Sequence, residues 1–113
     1  MIEGLWSLEF ISNVGGIGAG VVVFETQRIF GGDSQYYYVG QYEMQHDGKL
    51  KAEVMVEHYA GNRLSIFGPG QDKFSLAVRA DSVQRPTFQA TGSMIGSPDA
   101  KIAMRLTIRS ELP

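Results

Sequence analysis

A chain of 113 residues, 43% of them hydrophobic, suits one globular domain over residues 1–113 and excludes wholesale disorder. Its net charge of −2 supplies no field to gather nucleic acid or acidic lipid, and zero cysteines exclude disulfides, thiol catalysis and thiolate metal sites. The opening MIEGLWSLEF lacks a basic export region, and no apolar run reaches the ~20 residues of a bilayer span, so a cytoplasmic protein without a membrane partner is expected.

The first predicted strand is WSLEF, residues 6–10, with Trp6, Leu8 and Phe10 on one side and Ser7 and Glu9 on the other. Short strands follow over 18–25, 27–30 and 36–45. In LKAEVMVEH, residues 50–58, Leu50, Ala52, Val54, Val56 and His58 share one face, and Lys51, Glu53, Met55 and Glu57 the other. A short strand is expected over 63–67. KFSLAVRA (73–80) turns Phe74, Leu76, Val78 and Ala80 inward; a strand over 87–94 follows, and KIAMRLTIR (101–109) turns Ile102, Met104, Leu106 and Ile108 inward. Breaks fall at Asn13 to Gly16, Gly31-Gly32-Asp33, His46-Asp47-Gly48, Gly61-Asn62, Gly68-Pro69-Gly70, Arg85-Pro86 and Gly96 to Asp99. Asp47-Gly48 between alternating runs is a hairpin signal.

No segment holds helical periodicity over three turns. Eight or nine short strands with one apolar face each, joined by tight turns, predict an all-β fold: a small eight-stranded antiparallel up-and-down barrel, whose closure removes exposed edges. A two-sheet sandwich is the alternative, but it calls for longer crossovers.

The run GGIGAG, residues 15–20, resembles a phosphate-binding loop only in composition. Gly16, Gly18 and Gly20 miss the G-x-G-x-x-G spacing, and Val21 to Phe24 continue as a strand rather than a helix. The steric reading is that Gly18 and Gly20, on one face of the strand, let it bend or let bulky neighbours such as Trp6 approach.

His46 sits in a turn and His58 at a strand end, with no acidic residues spaced to complete a metal site. No serine occupies a nucleophile elbow, and Glu53 and Glu57 lie outward beside Lys49 and Lys51, so no catalytic constellation and no cofactor is expected. Lys101, Arg105 and Arg109 make a basic stripe that closure would set beside Glu9, a cross-strand arrangement rather than a nucleic-acid surface. In QYYYVGQYEM, Tyr36, Tyr38, Tyr42 and Met44 share a face around Gly40. If inward, that face either packs solid with hydroxyls at the mouth, the favoured reading, or lines a cavity for a small apolar ligand together with Trp6 and Phe24.

GLWSLEFISN at 4–13, the glycines at 18 and 20, FGGDSQYYYVGQY at 30–42 and FQATG at 88–92 together resemble the GrlR-like family of small bacterial proteins. The resemblance implies a calycin-like barrel, often a homodimer, acting as a non-enzymatic negative regulator of type III secretion genes. That regulation works by sequestering a protein activator rather than by binding DNA. The family's contact is an acidic Glu-Asp-Glu-Asp loop; here EMQHDGKL, 43–50, supplies only Glu43 and Asp47, with His46 between them and Lys49 after. Three readings follow: a regulatory protein-interaction domain, a carrier of a small apolar ligand, and, last, an enzyme. Outward Val21, Val23, Val39 and Met55 are candidates for a dimer patch.

Overall fold

The computed structural model describes residues 2–61, 64–65, 67–69 and 71–113. Among them the chain forms β1 (Gly4–Ser12), β2 (Ile17–Glu25), β3 (Arg28–Gly32), β4 (Tyr36–Met44), β5 (Leu50–His58), β6 (Leu64–Ser65), β7 (Gly68–Pro69), β8 (Lys73–Ala80), β9 (Thr87–Met94) and β10 (Ser97–Ser110). Eight strands close an antiparallel barrel in the order β1-β2-β3-β4-β5-β8-β9-β10, with β10 returning to β1. The small β6–β7 ribbon lies within the connection from β5 to β8. This is the up-and-down barrel that the alternating pattern predicts.

Closure sets β1 beside β10, with Glu9 opposite Arg105. Arg109 donates from Nε to Ser7 Oγ at 2.8 Å on the same seam. The basic stripe therefore lies against β1.

Strand ends depart from expectation where glycine and proline were read as stops. β3 runs through Gly31 and Gly32, which pair with Tyr38 and Tyr37. β10 starts at Ser97 rather than 101, because a register shift between Ser97 and Lys101 absorbs Pro98. Gln27, expected in a strand, belongs with Thr26 to a two-residue turn in which both have positive φ, 68° and 49°. The Asp47-Gly48 hairpin forms with a longer loop: Gln45 N donates to Lys49 O at 2.8 Å, and Gly48 takes the left-handed position at φ 85°. Of the strand expected over 63–67, residues 64 and 65 form β6, while Arg63 and Ile66 lie outside the described residues, as do Asn62 and Gly70 from the expected breaks.

The barrel has two unlike ends. The floor carries the β2–β3, β4–β5 and β8–β9 connections, and the mouth carries the rest. An aromatic cluster plugs the floor. Trp6 is 0% exposed and meets the rings of Phe88 at 5.0 Å and Phe24 at 6.4 Å, both edge-on. Phe24 in turn meets Tyr42 edge-on at 5.3 Å. The indole N–H donates to Ile2 O at 2.7 Å, which satisfies the one polar atom of Trp6. Below the cluster, Arg85 bonds the Glu111 carboxylate and donates to Glu3 O at 3.0 Å, tying a floor loop to both ends of the chain.

Candidate functional site

Above the floor the interior is not filled. A cavity of about 300 Å³ runs up the barrel, walled by side chains such as Leu8, Val54, Val56, Leu76, Val78 and Ile102. Ile17 also lines it and is 75% exposed, so the cavity reaches solvent at the mouth. The expectation of a solid interior does not hold. A Cβ on Gly31 or Gly40 would run into the backbone of the neighbouring strand, so those glycines mark close strand approach. On β2 the inward Gly18 and Gly20 carry no side chain, and Gly18 lines the cavity.

These glycines also explain how two large rings stay out of the centre. A Cβ on Gly18 would lie 2.6 Å from the Phe10 ring, and one on Gly20 would lie 2.8 Å from the Tyr38 hydroxyl. Phe10 and Tyr38 thus lie flat against the wall, over backbone that carries no side chain. The steric reading of GGIGAG is right in kind, but the neighbours it admits are Phe10 and Tyr38, not Trp6. Trp6 faces Val22 across β1–β2, nearer the floor.

The mouth is polar. The β3–β4 connection places Asp33 so that its Oδ1 accepts from Gln35 N and Tyr36 N, both at 2.8 Å. Tyr38 donates its O–H to Asp33 Oδ2, and Tyr59 donates to Asp33 O at 2.5 Å. Burial first, and the Asp33 carboxylate second, push the Tyr38 phenol far above its ordinary range, so it stays a donor. Tyr36 donates to Gln71 O at 2.8 Å, and its ring stands edge-on to His58 at 5.5 Å. Gln35 lines the cavity, and its Oε1 is buried with no hydrogen-bond partner among the described residues.

Of the aromatic residues expected to line an interior site, Phe24, Tyr36 and Tyr38 do so. Trp6 and Tyr42 do not, because the floor cluster holds them. Met44, at the floor end of β4, is 39% exposed rather than inward. Glu43, His46 and Asp47 lie at the floor, at the opposite end from the mouth. The turn that carries His46 and Asp47 is internally satisfied: Asp47 Oδ1 accepts from Lys49 N at 3.2 Å, and Lys49 Nζ lies 4.0 Å from Asp47 Oδ2. His58 sits at the mouth end of β5, with a ring nitrogen 3.2 Å from Gly61 O. Among the described residues no cluster of three or more His, Cys, Asp or Glu could hold a metal ion. No helix among them is long and apolar enough to cross a membrane.

Sequence reasoning missed Asp33 and Gln35 as site residues: Asp33 entered only as part of a chain break and of the resemblance, and Gln35 was given no role. The available signal was an Asp three positions before an alternating Tyr run, the spacing of a side chain that caps the turn into the next strand.

The outer wall carries a second feature. Val23, Phe30, Val39 and Met55 are consecutive cross-strand partners over β2, β3, β4 and β5. They form one apolar row, with Phe30 43% and Val39 40% exposed. In comparisons with known proteins, no family model and no curated protein sequence matches this chain.

Proposed function

We propose that the protein binds a small, mainly apolar molecule inside its barrel. The observation that carries this reading is the 300 Å³ cavity, walled by aliphatic side chains, with polar lining groups gathered toward the mouth. Its volume is about twice that of an engineered apolar cavity that accepts one benzene, which suits a ligand of roughly a dozen heavy atoms. Apolar wall left against solvent is unfavourable, and an apolar occupant that covers it offsets that loss.

Naphthalene, which has an apolar body and no polar head, tests the reading. Saturable shifts of the Val54, Val56, Leu76 and Val78 methyl resonances on titration are expected. Those of Val56, Leu76 and Val78 should weaken in Val54→Trp, which takes up part of the cavity. Absence of any saturable shift in the unmodified protein overturns the proposal.

The likeness to GrlR-like proteins supports a second reading, a regulatory protein that self-associates. The apolar row favours it, because the row is symmetric about β4. Phe30 and Met55 flank Val39, and one step toward the floor Arg28 and Glu53 flank Gln41. A two-fold axis along β4 would set Phe30 on Met55 and Arg28 on Glu53 of a second copy, pairing opposite charges around an apolar centre. Sedimentation should show a dimer that Val39→Lys dissociates. A monomer at all concentrations removes this reading and leaves the first intact.

A further inference from the structure

We infer that the mouth selects ligands whose apolar body carries a neutral or positively charged hydrogen-bond donor, such as an alcohol or an amine, and disfavours carboxylates. The inference rests on the ligand-binding reading above and concerns the end of the ligand that meets the mouth.

The polarity of the cavity is one-sided. Its wall is aliphatic and aromatic, while Asp33, Ser34, Gln35 and Tyr38 line it at the mouth. A ligand with one polar group therefore binds with that group at the β3–β4 connection. There it meets acceptors. The Asp33 side chain is held in position by two backbone N–H groups and the Tyr38 hydroxyl. A carboxylate offers about four lone-pair sites, so beside these three donors a ligand O–H or N–H still meets an acceptor there, and the charge of Asp33 faces an incoming head group.

Charge is the second ground. Among the described residues no Lys, Arg or His lines the cavity. A carboxylate entering the mouth would lose water and stand near the Asp33 carboxylate with no cation from the lining to offset it. An ammonium would meet the opposite situation. A neutral hydroxyl would neither repel nor be repelled.

The test compares nonanol, nonylamine and nonanoate, which share one body and differ in head group, by methyl NMR titration at neutral pH. Nonanol and nonylamine should bind, and nonanoate should bind about tenfold more weakly or worse. In Asp33→Asn, which keeps an oxygen to accept from the backbone but loses the charge, the gap between nonanoate and nonylamine should narrow. Nonanoate binding as tightly as the other two in the unmodified protein overturns the inference, and so does an unchanged gap in a folded Asp33→Asn. If naphthalene binds while the three head groups are not distinguished, the cavity reading stands and the head-group inference alone falls. Should Asp33→Asn not fold, the ranking in the unmodified protein still decides.

Discussion

Enlarging the cavity wall should stabilise this barrel, the reverse of what the same changes do to a packed core. Val54 and Val78 both line the cavity, and each faces a glycine across the sheet, Gly40 and Gly92 respectively. Val54→Ile and Val78→Ile each add one methylene into free volume. At ~0.8 kcal/mol per buried methylene, each change should raise stability by about 0.8 kcal/mol and the pair by about 1.6 kcal/mol. In a close-packed interior the same additions cost about 1–3 kcal/mol through forced rotamers. The two cases thus differ in sign, not only in size. Isoleucine keeps the β-branched shape, so the strand conformation of β5 and β8 is not penalised. Urea unfolding followed by circular dichroism reads the change as a higher midpoint with an unchanged slope. In a thermal scan the pair should raise Tm by about 6 °C. Both single variants unfolding at lower urea than the unmodified protein would refute the reasoning. That result would mean the interior is already full, and the ligand reading would fall with it.

Trp6→Ala should cost about 3–5 kcal/mol, since it empties the floor cluster against Phe24 and Phe88; a urea midpoint within error of the unmodified protein would contradict the plug. Tyr38 gives an alkaline signature. Its folded-state pKa lies above the ordinary 10.0, so its stabilisation is fully present below that value and is lost as pH rises beyond it. Unfolding free energies from urea titrations above about pH 10 should fall by up to about 1.4 kcal/mol per pH unit more than in Tyr38→Phe, and parallel slopes would rule this out. Gln27→Gly should raise stability by about 1 kcal/mol, because glycine tolerates the positive φ of that turn position; a lowered urea midpoint would show that the Gln27 side chain contributes more than its backbone conformation costs.

The barrel was legible in the sequence because its signal is local and repeated. In LKAEVMVEH the alternation alone assigns Leu50, Ala52 and Val56 to the interior, and all three are buried. The seam between β1 and β10 was legible for a related reason. A chain of short strands must hide its edges, and Glu9 and the basic stripe stand where closure would bring them together. The glycines were legible as steric features, because a strand and not a helix follows them.

Long-range questions were not legible. Periodicity assigns a residue to a face, but it does not say how high on that face the side chain meets its neighbours. Trp6 and Tyr38 are both inward aromatics in sequence, yet one plugs the floor and the other lines the mouth. That difference depends on register with β2, β3 and β4. Whether the interior is full depends on the summed volume of side chains from eight strands, which the alternation of any one strand does not reveal. Asp33 gains its place in the site from a turn that brings it under a hydroxyl from the next strand.

The sequence by itself determined the strands, their inward faces and the closed sheet, because alternation and turn chemistry act over a few residues. The tertiary structure alone decided that the barrel is hollow and that its polar groups gather at one end, because cavities and clusters are made by residues far apart in the chain.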